Sequence, residues 1–335
     1  MRHSVYPWLL LLFSMAFIYG LSYYATHRQP LRPSYQFYDS ATVHVEIHGM
    51  EGEPLVYGQF NNILEGKRQL VTADSVGFHV HRLRFHVNSP RPALLYVDDH
   101  PIQLMLVPQD SSLYVDVYYS EGSFEVDSLL FTGEPAVMCE YFLRKSEQLG
   151  GLGIRRNQRL VASDDFMTLV NRMDSLAAKE LVFLVEQEIY ATLPQWFVTF
   201  EKNDILYQRA YLKLSAAYNQ KIPKDLLDRM TINNPGAVFS YYYYLYLNAY
   251  FQSLQPKEAT SLPYAEQLKR NLALADSLLE GDVHDVFISR AIFQQLANNE
   301  VVLGEEIYQI YKDTFYSRKY IRYLARQILQ KKQKL

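Results

Sequence analysis

The spacing of apolar residues changes along the chain, first suiting β-strands and then suiting α-helices. From residue 42 onward, Val43, Val45 and Ile47 alternate with polar residues, which is the pattern of a strand with one buried face. Similar short runs follow, separated by turn signals such as Asn88-Ser89-Pro90. This arrangement favours a β-sandwich or a partly open barrel. The predicted strands span residues 42–48, 55–60, 69–72, 78–87, 93–97, 102–107 and 113–118.

After Gly133 the apolar residues recur at steps of three and four, the period of an α-helix. No repeat of fixed length is present, which favours an irregular helical bundle over a solenoid. The sequence therefore predicts an α+β protein, with an antiparallel β-sandwich-like domain at residues 41–133 and an α-helical bundle domain at residues 134–335. Helices are predicted over a segment containing residues 166–176, and over residues 194–218, 223–230, 238–254, 264–279, 282–297 and 305–332.

The N-terminal segment is predicted to be a membrane anchor or a signal helix. Residues 8–24 carry no charge, and their number is near the lower limit for crossing a bilayer. Trp8 and Tyr23 lie near the two ends of the run, where aromatic rings favour the headgroup zone. A cleaved signal peptide is the alternative, with Gly20-Leu21-Ser22 as the better cleavage site.

Residues 1–25 are accordingly interpreted as the anchor or signal peptide. Residues 26–40, which contain Pro30 and Pro33, are interpreted as a linker. Either interpretation predicts a cell-envelope location, with the residues after about 26 on the periplasmic side of the membrane or exported to the periplasm.

Net charge and cysteine content exclude several classes of function. The net charge of −3 gives no excess of positive charge to meet phosphates, which argues against a nucleic-acid partner. Cys139 is the only cysteine, so neither an intramolecular disulfide nor a dithiol couple can form within this chain. It lies in an apolar stretch and is predicted to be a small buried hydrophobe. Because no phosphate-binding loop, nucleophile elbow or His-Glu-x-x-His motif is present, we predict no catalytic residue and no cofactor.

Several local patterns resemble a known family of envelope proteins. Together they are similar to the N-terminal β domain of unknown function and the helical domain of bacterial envelope thiol-disulfide oxidoreductases, in which a thioredoxin-like domain follows. The resemblance covers about residues 41–330. The segments that carry it are Val43–Gly49, Asp74-Ser75-Val76-Gly77-Phe78, Ile102–Ser111, Leu129–Ala136, Asp282–Phe287 and the closing helix around Phe315–Leu329.

This resemblance implies a function without catalysis by the chain itself. In the family, a Cys-x-x-Cys active site begins shortly after the last helix, whereas this sequence stops at Leu335. The resemblance therefore implies a non-catalytic binding or scaffolding protein of the cell envelope, similar to the front part of these oxidoreductases. Two alternatives are an accessory component of a thiol-disulfide redox system that acts with a separate thioredoxin-like partner, and a truncated oxidoreductase.

Histidines in the β half form a candidate metal site. His44 and His48 point to one strand face with Glu46 between them, and His79 and His81 are expected to share a face in a following hairpin. Imidazoles from two such pairs would suit zinc or copper if the strands met. The favoured alternative is an ordinary solvated face, because strand alternation alone produces this spacing.

Two features of the helical half suggest a partner surface. Tyr243, Tyr246 and Tyr250 form a stripe that indicates either helix packing or a groove for a peptide or glycan. The C-terminal segment is rich in basic residues, which favours a solvated helix face or contact with an acidic partner or anionic lipid. The basic residues proposed for this contact are Arg318, Lys319, Arg322 and Arg326.

Overall fold

The computed structural model describes residues 39–108, 112–120, 125–150, 166–216, 230–255 and 262–334. No helix within these ranges combines the length and the apolar character needed to cross a membrane. The predicted anchor at residues 8–24 and most of the predicted helix at residues 223–230 lie outside the described residues.

The fold is α+β, as predicted, with the strands preceding the helices. Nine strands in the described residues form two sheets, one with the order β4-β5-β1-β8-β9 and the other with the order β3-β2-β6-β7. The strands are β1 Ser40–His48, β2 Val56–Asn62, β3 Lys67–Thr72, β4 Asp74–Gly77, β5 Val80–His86, β6 Arg91–Val97, β7 His100–Leu106, β8 Ser112–Tyr119 and β9 Val126–Gly133.

The strand pairing departs from the predicted antiparallel arrangement at one position. All other neighbouring strands are antiparallel, but β1 and β8 pair in parallel, with Val43 opposite Leu113 and Ile47 opposite Val117. The chain forms strands in both sheets between β1 and β8, so no hairpin joins these two strands and forces them to run in opposite directions.

The core of the β half lies between the two sheets. Val43, Val45 and Ile47 are buried on the inner face of β1, as their alternation predicted. Phe85 of β5 packs edge-on against Phe60 of β2, with ring centroids 5.8 Å apart. A side chain at Gly58 would collide with the Phe85 ring, so glycine at this position allows the sheets to approach closely.

The helical half contains eight α-helices in the described residues. Its packed core contains apolar side chains from α3 to α8 together with Ile63 and Leu64 from the β2–β3 loop. Arg290 fixes this loop by donating a hydrogen bond from Nη1 to the carbonyl of Ile63 at 2.6 Å. The helices are α1 Ala136–Leu149, α2 Phe166–Ala191, α3 Gln195–Ala216, α4 Tyr241–Leu254, α5 Tyr264–Leu278, α6 Gly281–Ala297, α7 Val301–Tyr311 and α8 Arg318–Lys332, with a short 3₁₀ turn at Pro235–Ala237 before α4.

The prediction of one continuous helix at residues 305–332 was wrong, because this region contains two separate helices, α7 and α8. The chain leaves the helical conformation between Lys312 and Ser317. The backbone N–H groups of Tyr316 and Ser317 donate to the two carboxylate oxygens of Asp285, at 2.9 and 2.8 Å. A contact from a distant helix therefore satisfies backbone donors that a continuous helix would have satisfied internally.

Candidate functional site

A pocket of about 180 Å³ lies between the four-stranded sheet and helices α1 to α4. A cavity of roughly 150 Å³ holds one benzene molecule, so this pocket has room for a small ligand. Aromatic side chains form much of its lining, including Phe60, Phe142, Phe200, Tyr241 and Tyr242. Polar groups converge on it from both sides, an arrangement typical of ligand sites.

The helical wall of the pocket carries a buried charged cluster. Lys145 of α1 donates from Nζ to Glu180 of α2 at 2.8 Å and to Glu201 of α3 at 2.5 Å. The Tyr141 hydroxyl donates to the same Glu201 oxygen at 3.2 Å. Burial alone would lower the pKa of Lys145, but the two carboxylates outweigh burial and raise it. Lys145 is therefore a permanent cation that holds three helices together.

Asp204, one turn after Glu201 on α3, gives this wall an excess of acidic groups. Its Oδ1 accepts a hydrogen bond from the Ser240 hydroxyl at 2.6 Å. Burial, with the nearby Glu201 carboxylate, raises the pKa of Asp204 to about 7. Three carboxyl groups thus face one lysine, and the third changes its charge near neutral pH.

We expect the difference in unfolding free energy between Asp204→Asn and wild type to shift in favour of the variant as the pH rises. The folded pKa of Asp204 lies above the unfolded value of 3.8, so its stabilising contribution is complete below pH 3.8 and is lost through pH 7. Asparagine resembles the protonated acid, keeps an acceptor for Ser240 and does not titrate. Between pH 5 and pH 8 the stability difference should change by about 1–3 kcal/mol in favour of the variant.

Urea unfolding at the two pH values measures this difference. Asp99→Asn, a change in an exposed turn, serves as the control and should show no comparable trend. A pH-independent difference for Asp204→Asn would contradict the raised pKa.

The sheet wall of the pocket carries positive charge. The buried Arg91 guanidinium donates to the carbonyl of Asn61 at 2.8 Å and to Asn88 Oδ1 at 2.8 Å. Arg68 of β3 is exposed and also lines the pocket. Gln59 Oε1 is buried and accepts no hydrogen bond from the described residues. The two walls therefore present opposite charges.

Acidic, basic and aromatic side chains line this pocket. No histidine or cysteine is among the described residues that line it. Ser240, the hydroxyl partner of Asp204, caps α4 by accepting from the Tyr243 N–H at 3.2 Å, and its side chain is buried. Its hydroxyl is thus engaged in a structural role.

Cys139 lies away from the pocket lining and is buried on α1, as predicted. Its Sγ accepts a hydrogen bond from the Met105 N–H at 3.3 Å. Burial raises the pKa of the thiol to about 12, so almost no thiolate forms at neutral pH.

The structure separates the four candidate metal-binding histidines. His44 and His48 share the outer face of β1, but His81 is buried on the opposite, inner face, in register with Val45. His79 does not share a face with His81, because it lies in a turn with a φ of 59° and its Nε2 is 2.5 Å from the carbonyl of Gly52. Strand alternation fails at this turn, so the four imidazoles do not converge.

His48 instead lies beside two carboxylates. Its Nε2 is 3.9 Å from Glu46 Oε1 on the same strand and 3.9 Å from Asp116 Oδ1 on β8. The imidazole stacks on Tyr118 with a centroid distance of 4.5 Å. The parallel pairing of β1 with β8, which the sequence did not predict, brings Asp116 to this position.

The tyrosine stripe is mainly a packing feature. Tyr243 and Tyr246 are completely buried, so neither can form the predicted partner surface, whereas Tyr250 is partly exposed. The Tyr243 hydroxyl donates to the carbonyl of Ile232 at 2.6 Å and accepts from the Asn234 N–H. Tyr243 therefore buries its ring in the helix packing while its hydroxyl remains hydrogen-bonded.

The basic residues of α8 lie outside its buried side. Tyr320, Leu324 and Ile328 are buried, and Arg318, Arg322 and Arg326 are exposed while Lys319 is partly exposed. These basic residues therefore lie on the solvent-facing side of α8.

Sequence reasoning missed the charged pocket. Lys145, Glu180, Glu201 and Asp204 lie on three helices, and each looks like an ordinary surface residue in its own segment. Only the acidic pair at i and i+3 on α3, Glu201 and Asp204, gave a local signal. No protein-family model matches the chain, and a search of curated proteins found no match.

Proposed function

We propose that the protein is a non-catalytic binding protein of the cell envelope, and that its ligand occupies the pocket between the sheet and helices α1 to α4. Residues 8–24 would anchor or export it, and the remainder would act on the periplasmic side. The observation that carries the proposal is a pocket with apolar sides and oppositely charged walls. The raised pKa of Cys139 opposes thiol chemistry by this chain and so supports a role without thiol catalysis.

A small zwitterion of amino-acid size suits this pocket. The excess of carboxyl groups around Glu201 and Asp204 favours an ammonium group. Arg68 favours a carboxylate on the other side. The aromatic lining favours an apolar side chain between the two charged groups.

L-Leucine and two singly charged analogues test this proposal by isothermal titration calorimetry of the full chain. The analogues are 3-methylbutylamine, which lacks the carboxylate, and 4-methylpentanoate, which lacks the ammonium group. We expect leucine to bind at least about tenfold more tightly than either analogue, since each loses one charge-assisted contact.

The variant Arg68→Met tests whether leucine binds in this pocket. Because Arg68 is exposed, its replacement should leave the fold intact while removing the preference for leucine over 3-methylbutylamine. The proposal fails if none of the three compounds binds at millimolar concentration, or if Arg68→Met leaves the preference unchanged.

The exposed basic face of α8 favours a second candidate function, that of an accessory component for a separate thioredoxin-like oxidoreductase. Arg318 and Arg322 would contact acidic residues of that partner. The double variant Arg318→Glu and Arg322→Glu should abolish co-purification with a Cys-x-x-Cys protein of the same envelope. Co-purification that persists in the variant would remove this candidate.

A further inference from the structure

We propose that Glu46, His48 and Asp116 form a surface binding site for a divalent transition-metal ion such as Zn²⁺. The imidazole nitrogen and the two carboxylate oxygens lie within 4.8 Å of one another on the outer face of the five-stranded sheet. The site is separate from the pocket proposed for the small ligand and does not depend on it.

The distances suit a metal better than they suit direct hydrogen bonds. Each carboxylate oxygen is 3.9 Å from His48 Nε2, which is too far for a hydrogen bond. Ligands of a tetrahedral zinc ion at about 2.1 Å lie about 3.4 Å apart. Small rotations of the exposed Glu46 and partly exposed Asp116 side chains would shorten the two 3.9 Å separations to that spacing. The three atoms therefore surround a space of the size that a zinc ion needs.

The arrangement of charges also favours a cation at this position. Glu46 and Asp116 are directly opposite one another on neighbouring strands, and like charges in that position are destabilising. No lysine or arginine of the described ranges forms an ion pair with either carboxylate. A divalent cation would neutralise both.

The type of ligand indicates the type of ion. An imidazole with two carboxylates suits zinc and its neighbours in the first transition series, whereas calcium and magnesium prefer oxygen ligands alone. The stacked Tyr118 ring orients His48, so less freedom is lost when the metal binds. Three protein ligands leave a coordination position open to water or to a group from a partner.

His44 provides a matched control on the same strand. It stacks on Tyr114 at 4.7 Å, much as His48 stacks on Tyr118, but its neighbour on β5 is Arg82. A positively charged neighbour in place of two carboxylates makes this position unfavourable for a metal.

Titration of the full chain with Zn²⁺ tests the proposal, with Co²⁺ absorption as an independent measure of inner-sphere coordination. We expect one tightest site, weakened at least about tenfold by His48→Ala and by Asp116→Asn but unchanged by His44→Ala. Circular dichroism would verify that each variant is folded. Equal zinc affinity in wild type and His48→Ala, or an equal loss in His44→Ala, would overturn the proposal.

Discussion

Replacement of Lys145 by methionine should destabilise the protein by about 3–5 kcal/mol, because it removes a cation that two buried carboxylates share. The side chains of Glu180 and Glu201 are only 5% and 4% exposed, and that of Lys145 is 14% exposed. Methionine preserves most of the aliphatic length of lysine, so the change removes the charge with little loss of volume. The cost arises from Coulomb repulsion and lost hydrogen bonds in a poorly solvated place.

Urea unfolding at pH 8 measures the effect. Lys179→Met is the matched control, since Lys179 is adjacent to Glu180 in sequence but exposed, and it should change the stability by less than about 0.5 kcal/mol. A cost below about 1 kcal/mol at pH 8 would show that water already screens the cluster.

The parts of the fold that the sequence predicted well have a strong local pattern. The alternation of Val43, Val45 and Ile47 predicted β1, and helices α5 and α6 lie within one residue of the predicted bounds. In each case one face of the element is buried in the core, so the spacing of its apolar residues shows which side is buried. Strands β4 and β9 were not predicted, because they are edge strands with mostly exposed side chains and so lack a regular spacing of buried apolar residues.

The site residues were harder to predict, because tertiary contacts alone bring them together. Lys145 and Glu201 are 56 positions apart, and their pairing depends on how α1 packs against α3. Asp116 reaches His48 only because β8 lies parallel to β1. The predicted metal group of His44, His48, His79 and His81 assumed that alternation continued through residue 79, where the backbone instead turns with a positive φ. A pattern confined to one segment cannot reveal such neighbours.

Replacement of Asp285 should cause the second large loss of stability, because this residue positions the start of α8. Both of its carboxylate oxygens accept backbone hydrogen bonds, from Tyr316 and Ser317, and Oδ1 also lies 3.2 Å from His284 Nδ1. The residue is completely buried. Asp285→Ala would leave two backbone donors and one imidazole without their acceptor, for an expected cost of about 3 kcal/mol.

His284 makes this cost dependent on pH. Burial alone would lower the pKa of His284, but Asp285 and Asp276 raise it. A raised folded pKa means that the contribution of His284 is complete below pH 6.5 and is lost as the pH rises through the folded value. Because Asp285→Ala removes one of the two carboxylates that stabilise the imidazolium, its cost should be larger at pH 6 than at pH 9.

Hydrogen exchange distinguishes a local effect from a general loss of stability. In Asp285→Ala the amides of α8 should exchange faster than those of α3, because the variant releases the start of α8 while the rest of the bundle keeps its core. Asp282→Ala is the control, as this acid lies on the same helix but is exposed, and it should cost less than about 1 kcal/mol. Uniform acceleration in all helices would mean that α8 unfolds only with the whole domain, and that Asp285 acts on global stability rather than on docking of the last helix.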